Sequence, residues 1–138
     1  MTHIGIDTGT HTGFAAWDGR GKQFLAIETL PLHAALLRVH TLAKEQPVEV
    51  WYEDARQRKW YGNNTAAKDR ARLQGAGSVK RDSTIWEEAL TDWGIPFHKI
   101  PPCANMTKLS AERFRNLTGW TGRTNEHSRD AAMLVWGR

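Results

Sequence analysis

Three carboxylates and one histidine stand in this sequence where structure alone would not ask for them. Asp7 closes the apolar run Ile4-Gly5-Ile6. A core strand favours Ile and Val, so an acid there either meets a cation or holds a metal. Glu53 and Asp54 close Val48 to Tyr52 in the same way. His127 and Asp130 lie three apart near the end of the chain, a spacing that puts two side chains on one helix face. Together Asp7, Glu53, Asp130 and His127 form a donor set for a hard divalent ion. Mg²⁺ takes oxygen ligands and keeps several waters, and an imidazole suits Mn²⁺ as well. Two such ions roughly 3.5–4 Å apart stabilise both the attacking and the leaving oxygen of a phosphodiester.

The elements that must bring these groups together are legible in outline. Ile4 to Asp18 reads as a strand, a glycine turn and a second strand. Gly9 and Gly13 are expected to let the backbone turn and a ligand come close, with His11 a polar turn residue. Gln23 to Leu30 is a third strand. Pro31 opens a helix at its first turn, carried by Leu32, Ala35, Leu36, Val39, Leu42 and Ala43. Val48 to Tyr52 is a buried strand. Arg56 to Asn64 reads as a basic loop, and a long helix follows from Thr65 to Asp92 or Trp93. Val79, Trp86, Ala89, Leu90 and Trp93 share one of its sides, and Ala71, Gly75 and Ser78 form a small-residue strip. Phe97 to Ile100 is a fifth strand. Thr107 is the expected N-cap of a helix to about Leu117, with Ala111, Phe114 and Leu117 inward. Thr124 or Asn125 caps the last helix, where Ala131, Ala132, Leu134, Val135 and Trp136 are core candidates.

Composition bounds the class. The 138 residues, 40% hydrophobic and 25% charged, predict one globular domain spanning 1–138. Cys103 is the single cysteine, which excludes a disulfide framework and a cysteine-based zinc site. No apolar run approaches a membrane span, and a chain that enters a strand at once predicts no targeting peptide and a cytoplasmic setting. Charge is uneven. From Arg56 to Arg81 eight basic residues (Arg56, Arg58, Lys59, Lys68, Arg70, Arg72, Lys80, Arg81) face one acid, Asp69. That window carries +7 and leaves −3 for the rest of a chain whose net charge is +4. With Trp60 and Tyr61 beside it, the stretch is expected to meet a nucleic-acid backbone and to offer rings for stacking.

The element order, β-β-β-α-β-α-β-α-α, is that of the RNase H-like fold: a five-stranded mixed sheet, three antiparallel strands then two parallel ones, flanked by helices. In that architecture the first strand is central and the fourth lies beside it, which makes neighbours of Asp7 and Glu53, and the last helix brings in Asp130. Within that fold the chain resembles the RuvC-type Holliday junction resolvases. The resemblance rests on Gly5-Ile6-Asp7-Thr8-Gly9 with Thr12-Gly13-Phe14-Ala15, on Val50-Trp51-Tyr52-Glu53-Asp54, on the Gly75-Ala76-Gly77 helix, on Lys108, and on His127-Ser128-Arg129-Asp130-Ala131-Ala132. It spans nearly the whole chain. The chain's compactness is similar to that of phage-type members, encoded for a bacterial host.

The resemblance implies a homodimeric endonuclease that needs two Mg²⁺ or Mn²⁺ ions per site, uses no small-molecule cofactor, and nicks paired strands of a four-way junction. It casts Asp7, Glu53 and Asp130 as catalytic metal ligands, and His127 as a further ligand or a catalytic base. Lys108, at the start of a helix, becomes a catalytic and DNA-binding group near the scissile phosphate. Arg56, Arg58, Lys59, Trp60, Tyr61, Lys68, Arg72, Lys80 and Arg81 are the expected DNA-binding set, and Asp54 a surface acid. The family often places an aromatic wedge just after the strand-four acid, where this chain has Arg56. A broader branched-DNA nuclease therefore stands as an alternative, beside a catalytically silent DNA-binding module. Asp-Thr-Gly-Thr also resembles the first phosphate loop of sugar kinases and actin-like ATPases, which need two such domains to enclose a nucleotide.

Overall fold

The structure, a computed structural model, describes residues 1–57, 66–102 and 107–138, for 66–76 and 79 the backbone alone. Five strands form one sheet in the order β3-β2-β1-β4-β5: β1 (Thr2–Asp7), β2 (His11–Asp18), β3 (Gln23–Pro31), β4 (Val48–Glu53) and β5 (Phe97–Ile100). The first three pair antiparallel, and β4 runs parallel to both β1 and β5. Among the described residues, four α-helices accompany it: α1 (Leu32–Glu45), α2 (Ala66–Asp92), α3 (Ala111–Thr118) and α4 (Glu126–Val135). The mixed RNase H-like sheet expected from the element order is therefore the observed one.

Strand alternation sorts the core into two layers. Ile4, Ile6, Phe14, Ala16, Val48, Val50 and Tyr52 pack with Ala35 and Val39 of α1 and Trp86 and Leu90 of α2. Residues of opposite parity, such as Ala15 and Trp17, pack with Phe114 of α3 and with Ala131, Ala132, Leu134 and Val135 of α4. A sheet covered on both faces explains the near-continuous apolar strands. Asp7 shares its parity with Gly5, and Glu53 with Trp51, so both carboxylates belong to the α4 face.

Helix α4 reaches that face through two glycines. A Cβ on Gly5 would stand well inside 3.0 Å of the Ala131 carbonyl oxygen, and one on Gly13 equally close to the His127 carbonyl oxygen. The two helix residues are one turn apart, a rise of about 6 Å. The two glycines lie on neighbouring strands about 4.8 Å apart, with Gly5 paired to Ala15 and Asp7 to Gly13. The helix thus crosses β1 and β2 with one turn seated on each. Close approach at Gly13 serves a helix rather than a ligand.

Several local expectations are corrected. Ser110, not Thr107, caps α3, its hydroxyl accepting from the Arg113 N–H. Lys108 therefore lies in a loop before the helix, at φ 60°. Ala111 and Leu117 are exposed, and so is Trp136, leaving Phe114 as the buried anchor of α3. Asn125 caps α4 in a reciprocal arrangement with Ser128. Asp54 is not a surface acid: it is 3% exposed and paired with Arg56.

Candidate active site

β1 and β4 run side by side through the pair Ile6 and Tyr52. Asp7 and Glu53 are the next residues on each strand, so two acids end adjacent parallel strands on one face. The Thr8 hydroxyl donates to the Glu53 carbonyl at 3.2 Å and ties the exit of β1 to the end of β4. Across the sheet face, the first turns of α4 bring His127 and Asp130 over the same strand ends. His127 Nδ1 lies 3.0 Å from Asp7 Oδ2. Asn125 holds this helix start to the sheet edge as well, because its Oδ1 accepts from the Thr29 hydroxyl at 2.7 Å.

The electrostatics are those of crowded acids. The Asp7 carboxyl stands raised at about 6, mainly through burial; the hydrogen bond from His127 opposes the rise and the nearby Asp130 charge adds to it. Asp130 is also raised, first by burial and then by Glu126, while the Lys108 backbone N–H, donating to Asp130 Oδ1 at 2.9 Å, pulls the other way. Glu126 thus adds to the negative field. Its sequence position does not single it out, because an acid in the first turn of a helix normally serves the helix dipole.

These oxygens suit a hard divalent cation in kind, and the raised carboxyls mark a place where positive charge is wanted. Among the described residues, no group of three His, Cys, Asp or Glu side chains is arranged to hold a metal ion. The structure brings together Asp7, His127 and Asp130 around one strand end, with Glu53 on the neighbouring strand.

The expected DNA-binding set divides. Lys80 and Arg81 are exposed on α2, and Lys108 is exposed beside Asp130. Arg58, Lys59, Trp60 and Tyr61, and the side chains of Lys68 and Arg72, lie outside the described residues. Arg56, also of that set, is half-buried and ion-paired within the fold. Its Nε and Nη2 donate to the two oxygens of Asp54 at 2.8 and 3.0 Å, and Nη2 also meets Glu87 of α2. Glu87 in turn receives Lys99 of β5 at 3.4 Å. The guanidinium joins the residue after β4 to α2, and Glu87 carries the link on to β5. A basic residue next to a basic loop gives no hint of this, since Glu87 lies 31 residues away.

No family model matches the sequence, and no curated protein matches it significantly. Among solved structures, RuvC of T. thermophilus in complex with a Holliday junction substrate superposes on 99% of this chain and 92% of its own, with a TM-score of 0.59 and 20% sequence identity. What the two share is the fold: this chain has the RuvC form of the RNase H-like architecture, with Asp7 at the end of its central strand.

Proposed function

We propose that the chain is a divalent-metal-dependent endonuclease acting on branched DNA, with the four-way junction as its substrate. One observation carries the proposal. Asp7 and Asp130 are crowded at the end of the central strand, in surroundings that hold Asp7 at about 6. A buried negative cluster of this kind costs stability unless it is used. The fold shared with RuvC and the basic window from Arg56 to Arg81 support the same reading.

In this proposal Asp7, Glu53 and Asp130 hold Mg²⁺ or Mn²⁺, and His127 joins them. The ions, when bound, supply charge stabilisation at the attacking and leaving oxygens. The chain's own residues do the rest. The His127 hydrogen bond fixes one Asp7 oxygen and leaves the other to the ligand side. Lys108 offers its ammonium to a phosphate beside Asp130. Two symmetric nicks need two sites related by a two-fold axis, which a homodimer provides. We place its contact on α2.

The test is incubation with labelled four-way junction, fork and duplex DNA in Mg²⁺, Mn²⁺ or EDTA, together with sedimentation. Symmetric nicking of the junction with either ion, lost in EDTA and in Asp7→Asn while that variant still binds the junction, is expected. Binding without cleavage under every condition would leave a DNA-binding module. Preference for forks over junctions, by a strict monomer, would leave a broader branched-DNA nuclease.

A further inference from the structure

Arg129 sits between His127 and Asp130 on α4, and its guanidinium turns back onto the chain. It is half-buried. Its Nε donates to the Leu109 carbonyl at 2.7 Å, and its Nη1 donates to the Thr124 hydroxyl at 3.0 Å. These partners belong to the two loops that flank α3: one carries Lys108, the other leads into the Asn125 cap. Lys108 itself has φ 60°, a backbone form that non-glycine residues adopt only when their surroundings impose it. Its N–H is held by Asp130 Oδ1 at 2.9 Å. Two consecutive residues of α4 therefore grip two consecutive residues of this loop. Asp130 takes the N–H of Lys108, and Arg129 takes the C=O of Leu109.

We propose that Arg129 is a positioning residue: it fixes the strained loop so that the Lys108 ammonium stands over the phosphate that the Asp7–Asp130 site works on. This rests on the nuclease reading given above. The planar fork of arginine matters here, because Nε and Nη1 serve two loops at once from one rigid group. A lysine keeps the charge but cannot hold both acceptors in that geometry.

The loop itself is read first, in metal-free protein. In Arg129→Ala the Lys108 amide should lose its protection from hydrogen exchange, while amides of β1 and β2 keep theirs. Thr124→Val removes only the Nη1 partner and should move the Lys108 amide the same way by less, which keeps the test alive should Arg129→Ala fold poorly. Unchanged protection at Lys108 in both variants overturns the proposal.

Nicking is read second. Arg129→Ala should lower kcat about 10- to 100-fold with KM little changed, the size expected for a misplaced group. Arg129→Lys should fail to restore it. In a Lys108→Ala background the same change should cost nothing further, because Arg129 acts through Lys108. An equal loss in both backgrounds, or restoration by lysine, overturns the proposal and assigns Arg129 to the fold or to direct charge contact. If the wild-type chain nicks nothing, the nuclease reading fails, and the amide measurement alone then decides whether Arg129 sets the Lys108 loop.

Discussion

The carbonyl oxygen of His127 occupies the space that a side chain on residue 13 would fill. Gly13 pairs with Asp7 across β1 and β2, so the notch that admits α4 lies beside the acid that α4 must reach. Gly13→Ala should lift the start of the helix. A backbone carbonyl cannot rotate away as a side chain would. Overpacking of this kind costs roughly 1–3 kcal/mol, so a urea midpoint lowered accordingly is expected, together with a lengthened His127–Asp7 contact seen in the imidazole resonances. An unshifted midpoint would show that α4 does not depend on this notch.

Asp7 should be more comfortable uncharged. Its folded carboxyl is raised to about 6 from an ordinary value of 3.8, so the folded state binds a proton more readily than the unfolded one. Stability therefore falls as pH rises from about 4 through 6. In EDTA, Asp7→Asn should be more stable than wild type at pH 7.5, by on the order of 2 kcal/mol, and the two should converge near pH 4. Thermal denaturation across that range checks it. A variant less stable than wild type at pH 7.5 contradicts the picture of crowded acids.

Asp54 should behave in the opposite sense. Burial pushes its carboxyl up, but the hydrogen bonds from Arg56 outweigh burial and hold it below the ordinary range. Its stabilising share is present above about pH 4 and is lost as pH falls through the lowered folded value. Asp54→Asn should cost about 1–3 kcal/mol at pH 7 and should flatten the acid limb of the stability curve. Arg56→Glu should lower stability at least as much, since it sets three acids together. A charge reversal at Arg56 that weakens DNA binding with no loss of stability would show that the residue serves DNA rather than the fold.

Lys80 and Arg81 test the proposed DNA face without disturbing the fold, because both are exposed on α2. Replacing them with alanine should leave the melting temperature within experimental scatter. Every phosphate that these side chains no longer neutralise should reduce the slope of log affinity against log salt by about 0.9 for duplex arms. An unchanged slope removes that part of α2 from the DNA path.

Why some of this was legible and some was not comes down to range. Periodicity in Ile4 to Asp18, in Val48 to Tyr52 and in the first helix reports local burial, and local burial sets element type, so sheet and helices were readable. Asp7 and Glu53 stand out because each violates that local rule, and Asp130 because it lies three residues from His127 on one helix face. Asp54 and Arg56 do not, since their third partner, Glu87, comes from a distant helix. Arg129 was invisible because an arginine on a short amphipathic helix ordinarily faces water. The cap of α3 differs from expectation for another reason: Thr107 and Ser110 are both cap residues, Ser the better one, and it is Ser110 whose hydroxyl meets the Arg113 N–H.

Helix α4 is the last element, yet it completes a site begun by the first strand, with Asp7 and His127 separated by 120 positions. Contacts of that separation form late, because a long loop must close before they are rewarded. The contact that joins Asp7 to His127 is therefore expected among the later ones to form, after the sheet that carries the acid.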